Sequence, residues 1–300
     1  MTLTAERPTL DAIARPSGGL AMVAMDQRES LRTMFDQAGA GRPADQVLVD
    51  FKLAVAEVLG PLASGFLIDR EYGHDEVRRR HLLPEGTGLI LAADALTQEP
   101  GGPVEETDLD DLMLARGVDL DAVVALKLLI IWRRDDRRGQ RVELARRFIA
   151  AAADRGVLSV LEPVVRAAPD EQPWTPEQTN DAIREAAREL SALRPSLYKV
   201  QVPLGGRGTS RELLEACQQL AADITGPWVV LSQGVAQDDF LGAVTAACQA
   251  GASGFLAGRA LWSDVVGHPD VPTRLGEVAV PRLERLVEAV DAYARPWTLA

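Results

Sequence analysis

Lysine is scarce in this 300-residue chain: its 32 basic residues are 29 arginines and three lysines, Lys52, Lys127 and Lys199. Two of the three stand in short apolar runs, AVVALKLLII (122–131) and SLYKVQV (196–202), where an unpaired charge is costly to bury. A chain that uses arginine wherever positive charge suffices keeps lysine where a guanidinium fails. An amine can lose its proton and attack a carbonyl, whereas a guanidinium stays charged. Burial and a neighbouring cation both favour the neutral, nucleophilic amine. GVLSVLEPVV (156–165) adds Glu162, a carboxylate placed to carry protons. Amine and carboxylate together suit carbonyl chemistry through a Schiff base. The structural alternative makes Lys127, Glu162 and Lys199 a buried ion-pair layer that only holds the fold together. Lys52, within LVDFKLAVAEVLG, reads as an ordinary helix residue.

These residues need a scaffold. Eight short apolar runs recur, at 19–25, 65–68, 87–93, 122–131, 156–165, 196–202, 227–232 and 253–258, and helical periodicity fills most of the gaps. Apolar strands alternating with helices indicate a parallel sheet buried on both faces. Eight such units in about 250 residues predict an α/β fold, a (β/α)8 TIM barrel, with an open doubly wound sheet as the alternative. The expected organisation is one domain over 1–300: an N-terminal extension or cap over 1–18, then the barrel over about 19–295. Residues 69–86 are expected to form a connection with its own helix, and the final segment, from TRLGEV onward, a closing helix.

A barrel carries its chemistry at the C-terminal ends of its strands. Those ends read Asp26, Asp69, Lys127, Glu162, Lys199, Ser232 and the pair Gly258–Arg259. The glycine-containing turns LSQGV (231–235) and FLAGRALW (255–262) follow strands seven and eight, where barrels commonly bind phosphate, and Arg259 offers a fork of donors to it.

Composition narrows the partners. A net charge of −12 argues against a nucleic-acid or anionic-membrane surface, and no apolar run approaches a bilayer span. The N-terminus lacks a signal-peptide core, and Cys217 and Cys248 read as reduced thiols, so a cytoplasmic protein is expected. Three scattered histidines give no ligand spacing, so a His-rich zinc site is not expected; no metal and no organic cofactor are expected. If the turns after strands seven and eight bind phosphate, an acidic chain must draw its anionic substrate in through local arginines, and Arg28, Arg133 and Arg259 are expected at the mouth.

Six ordered blocks, AMDQRESLRTMF (24–35), ALKLLIIWRRDD (125–136), VLEPVVR (160–166), YKVQVPL (198–204), WVVLSQGV (228–235) and GASGFLAGRALW (251–262), resemble the class I aldolases of the tagatose-1,6-bisphosphate and sulfofructosephosphate type. The likeness runs in order from about residue 16 to 290. It implies a Schiff-base barrel aldolase that releases dihydroxyacetone phosphate, with Lys199 as the imine-forming lysine and Glu162 as the proton shuttle. It further implies that Asp26 and Lys127 frame the substrate carbonyl and hydroxyls, and that Ser232, Gly234, Gly258 and Arg259 hold the C1 phosphate. Gln27 and Arg28 are expected at the other end of the sugar. Two positions depart from the pattern. Gln201 replaces a carboxylate two residues beyond Lys199 and is expected to alter the lysine's environment. Gln233 replaces a small residue and is expected to narrow or rewire the phosphate loop. The short loop PLGGRGTSRELL, with IIWRRDD and EPVVR, favours the sulfofructosephosphate branch, while IDREYG is closer to the tagatose branch. A homo-oligomer, dimer or tetramer, is expected. A non-catalytic sugar-phosphate sensor and a barrel isomerase using Glu162 as base are the rival functions.

Overall fold

The computed structural model describes residues 8–110 and 118–300. Residues 1–7 of the expected N-terminal extension lie outside the described residues. Eight parallel strands close into a barrel: β1 (Leu20–Met25), β2 (Gly65–Ile68), β3 (Gly88–Ala92), β6 (Val123–Trp132), β7 (Leu158–Val165), β8 (Leu197–Gln201), β9 (Trp228–Leu231) and β10 (Gly254–Ala257). Each falls within one of the eight apolar runs or overlaps it almost fully. The order around the barrel is β1-β10-β9-β8-β7-β6-β3-β2.

Period-two alternation sorts each strand into two faces. Outward side chains such as Phe66, Tyr198, Val230 and Phe255 pack under the surrounding helices. Inward side chains Met22, Ala24, Leu67, Ala92, Ala125, Val160, Leu197, Val229 and Leu256 fill the barrel floor, joined by Leu10 and Ile13 of a short 3-10 turn. The described part of the N-terminal extension therefore caps the barrel's lower end. The inward position two residues beyond Ala24, Ala92, Ala125, Val160 and Leu197 is charged every time: Asp26, Asp94, Lys127, Glu162 and Lys199. A charged layer thus lies directly on an apolar floor.

The outer layer comprises α1 (Glu29–Gln37), α2 (Asp45–Leu59), α3 (His74–Arg79), α4 (Arg138–Asp154), α5 (Pro176–Leu190), α6 (Ser210–Ala221), α7 (Phe240–Gln249), α8 (Arg259–Trp262), α9 (Val271–Arg274) and α10 (Val280–Tyr293). Capping boxes start two of them: Thr175 with Gln178 opens α5, and Thr209 with Glu212 opens α6. The connection over 69–86 carries α3, and α10 closes the barrel against α7 and β1, as the sequence predicts.

One element was not foreseen. Between β3 and β6 an antiparallel hairpin, β4 (Asp94–Thr97) and β5 (Glu106–Leu109), rises over the barrel mouth. Its tip is fastened to α1 by Glu29, whose carboxylate accepts from Gly101 N at 2.8 Å while also pairing with Arg42.

Candidate active site

The charged layer is one connected network. Lys127 Nζ lies 2.6 Å from Asp26 Oδ2, 2.8 Å from Asp94 Oδ2 and 3.2 Å from Glu162 Oε2. The other oxygen of Glu162, Oε1, lies 2.9 Å from Lys199 Nζ. One carboxylate therefore bridges the two lysines. The three carboxylates that contact Lys127 or Lys199 stand at different places around the barrel, Asp26 just past β1, Asp94 two residues past β3 and Glu162 within β7, so the backbone ladder fixes their spacing. Lys127 and Lys199 are each 3 % exposed.

Burial alone would push Asp26 up, but Lys127, Lys199 and Arg28 together hold its carboxyl well below the usual carboxylate range. Burial likewise works against the Lys127 ammonium, yet Asp26, Asp94 and Glu162 surround it and raise its pKa well above the ordinary lysine value. Lys127 is thus a fixed cation at neutral pH.

The layer forms the bottom of a cavity of about 560 Å³. Asp26, Gln27, Arg28, Lys127, Glu162, Lys199, Ser232, Gly258 and Arg259, all named from sequence, line it. Gly234 does not. It stands at the turn after β9 with φ +83°, a left-handed conformation that glycine adopts without strain. Gly258 has a different need for glycine: a Cβ there would meet Ala24 O at 2.4 Å. That close approach brings α8 onto β1, where the Trp262 indole N–H donates to Ala24 O at 3.1 Å.

Several expectations are corrected. Asp69 does not join the layer, because its carboxylate turns outward to Lys52 and accepts from Tyr72 N at 2.9 Å. Lys52 does sit on α2, but it is completely buried and ion-paired with Asp69, so it is no ordinary helix residue. Arg133 does not reach the mouth. It is held by Glu105 and Glu106 of the hairpin, which intercept it above Ile131. Arg28 lines the cavity but is committed to the Asp94 carboxylate and carbonyl, with Glu71 at 3.6 Å. Gln201 Oε1 accepts from Val165 N at 2.7 Å and ties the ends of β7 and β8 together. Gln233, in the turn after β9, accepts from Arg259 Nη2 at 3.1 Å.

Among the lining residues that sequence does not mark, Asp94 and Arg166 matter most for charge. Asp94 was missed because the third apolar run was ended at Ala93, although Ile90 and Ala92 set a phase that points residue 94 inward. Arg166, one residue beyond β7, lies in the VLEPVVR block, where sequence alone assigns it no task. Neither Arg166 nor Arg259 has a carboxylate within 4 Å among the described residues; Arg166 Nη1 donates to Val104 O at 2.9 Å. Burial lowers the pKa of both guanidiniums; at Arg166 the charges of Arg133 and Arg259 lower it further, and carboxylates offset the effect only in part. Two half-buried cations thus face the cavity with no carboxylate within 4 Å among the described residues.

A closed parallel barrel with chemistry at its C-terminal mouth is an enzyme scaffold, and comparison specifies which. The family description "DeoC/LacD family aldolase" matches residues 20–264. The chain is 25% identical over 310 aligned residues to tagatose 1,6-diphosphate aldolase 2 of Streptococcus pyogenes, covering 94% of this chain and 93% of that one. It is 27% identical to tagatose 1,6-diphosphate aldolase of Listeria monocytogenes, with 96% and 92% covered. Among solved structures, fructose-bisphosphate aldolase from Plasmodium falciparum superposes with a TM-score of 0.74 at 15% identity, over 95% of this chain and 93% of that one. An archaeal fructose-1,6-bisphosphate aldolase, solved with its catalytic lysine bound to a carbinolamine intermediate, gives 0.54 at 15% identity, over 94% and 98%. At that identity the two structures speak for the fold. The chain belongs to the DeoC/LacD family of aldolases, and is accordingly a lyase. No helix among the described residues is long and apolar enough to cross a membrane.

Proposed function

We propose that the protein cleaves a ketose 1-phosphate through a Schiff base on Lys199, releasing dihydroxyacetone phosphate and a three-carbon aldehyde. The observation that carries this is the shared carboxylate: Glu162 touches Lys199 Nζ with one oxygen and the fixed cation Lys127 with the other. Lys199 gives a proton to Glu162 Oε1 and attacks the C2 ketone. Glu162 then returns that proton to the adduct's oxygen, takes a second from its nitrogen and delivers it to the resulting hydroxyl, which leaves as water and yields the iminium. That cation accepts the electron pair of the C3–C4 bond once the C4 hydroxyl is deprotonated. Asp26, kept ionised by its neighbours, is placed to hold the substrate hydroxyls, and Lys127 to stabilise negative charge developing on oxygen. Reprotonation of the enamine and hydrolysis of the imine free the second product.

Ser232, Gly258 and Arg259 form the side of the cavity offered to the C1 phosphate. Arg259→Ala is expected to raise KM for a ketose 1-phosphate about ten- to a hundredfold with little change in melting temperature, the equivalent of roughly 1.5–3 kcal/mol for a charged hydrogen bond. An unchanged KM would place the phosphate elsewhere. Since the iminium itself serves as electron sink, cleavage should persist in excess EDTA; loss on chelation with recovery on adding zinc would overturn the Schiff-base route.

For the far end of the sugar, the short loop after β8 favours 6-deoxy-6-sulfofructose 1-phosphate, giving sulfolactaldehyde. The second reading, tagatose or fructose 1,6-bisphosphate giving glyceraldehyde 3-phosphate, is favoured by the names of the full-length relatives. Measuring kcat/KM on all three substrates decides. A bisphosphate preferred by more than tenfold would replace the first reading with the second.

A further inference from the structure

We infer that Arg166, rather than Arg28, binds the anionic group at the far end of the substrate chain. The inference rests on the aldolase reading above and deepens it. Residues 24–35 carry the MDQR motif that points to Arg28, but geometry leaves Arg28 little to offer. Its Nη1 donates to Asp94 O at 3.1 Å, its Nη2 to the Asp94 carboxylate, and Glu71 stands nearby. Burial opposes that charge, yet Asp94, Asp69 and Asp26 outweigh it and raise the Arg28 pKa. An arginine so neutralised would have to give up Asp94, and Asp94 also holds Lys127.

Arg166 is in the opposite condition. It follows β7, on the same strand as Glu162, and lines the same cavity as Lys199. Of its five N–H donors one is used, on the carbonyl of Val104 in the hairpin. No carboxylate lies within 4 Å of it among the described residues. Its position also suits the distal end. Arg259 follows β10 and Arg166 follows β7, three places apart in the barrel order, with Lys199 on β8 and Ser232 just past β9 between them. At about 4.8 Å per strand the two arginines are rooted on either side of the reacting lysine, as a substrate with an anion at each end requires. The ligand chemistry is a tetrahedral oxyanion, phosphate or sulfonate, which the guanidinium fork accepts through paired donors.

The test is equilibrium binding, which needs no turnover. Three probes lack the ketone and cannot form an imine: hexitol 1-phosphate, hexitol 1,6-bisphosphate and the 6-sulfonate of hexitol 1-phosphate. In the unsubstituted protein at least one doubly anionic probe should bind more than about tenfold tighter than the monophosphate, and the tighter of the two identifies the anion. Arg166→Gln should reduce that advantage to below about threefold while leaving the monophosphate affinity unchanged. Arg166→Lys should restore part of it as a point charge. Arg28→Gln should not remove it selectively. The assignment is overturned by no advantage in the unsubstituted protein, an advantage that survives Arg166→Gln, or equal weakening of all three probes. Borohydride trapping of dihydroxyacetone phosphate stays separate: its failure would strike the Schiff-base reading, whereas a flat anion comparison with intact trapping strikes Arg166 alone.

Discussion

Lys199→Arg should abolish both covalent trapping and cleavage. In the unsubstituted protein, borohydride with dihydroxyacetone phosphate should add the reduced triose to the peptide containing Lys199, and to neither Lys127 nor Lys52. Arginine keeps the positive charge beside Glu162 Oε1 but supplies no amine that can lose a proton at neutral pH. The expected loss in kcat/KM is at least about 10⁴-fold, the scale seen when a nucleophile is removed and binding is left in place. Circular dichroism and the melting transition should show a folded barrel, since the substitution introduces no uncompensated charge. Lys127→Arg should be milder, because three carboxylates still face a cation. Label on Lys127, or substantial cleavage by Lys199→Arg, would refute the assignment.

Glu162→Gln separates catalysis from mere support. Glutamine has nearly the same shape and can still accept from one lysine, but it cannot take the proton that Lys199 must lose. We expect a fall of about 10² to 10⁴-fold in kcat, the usual contribution of a positioned acid–base group. Borohydride trapping should slow while still reaching full stoichiometry given time, because the nucleophile remains. If the two lysines and Glu162 only formed an ion-pair layer, the substitution would lower the melting temperature and leave kcat within a few-fold. That outcome would sink the proposed proton shuttle.

The barrel was legible in the sequence because strands buried on both faces cannot hide: each appears as a short, mostly apolar run. Lys127, Glu162 and Lys199 were legible for the complementary reason, as charges inside such runs. The hairpin was not. Its strands have four residues each, and those of β4 are half exposed beyond Asp94, so no apolar pattern marks them. With the hairpin went Asp94, its first residue, and the fate of Arg133, which alternation directs inward until Glu105 and Glu106 capture it. Lys52 was misjudged because a helical pattern reveals the stripe a residue lies on but not the carboxylate facing it across the fold. Arg28 and Arg166 differ only in their partners, and partners are set by tertiary contacts.

All three lysines are buried, between 0 % and 3 % exposed, and every other basic side chain in the sequence except the three histidines is arginine. The outer surface consequently carries no ε-amine. An aldolase releases reactive aldehydes, and aldehydes condense readily with primary amines and poorly with protonated guanidiniums. A chain built this way is chemically quiet toward its own product everywhere except at its α-amino terminus and within the barrel mouth, so it should resist the gradual self-modification that would accompany turnover on a lysine-rich exterior.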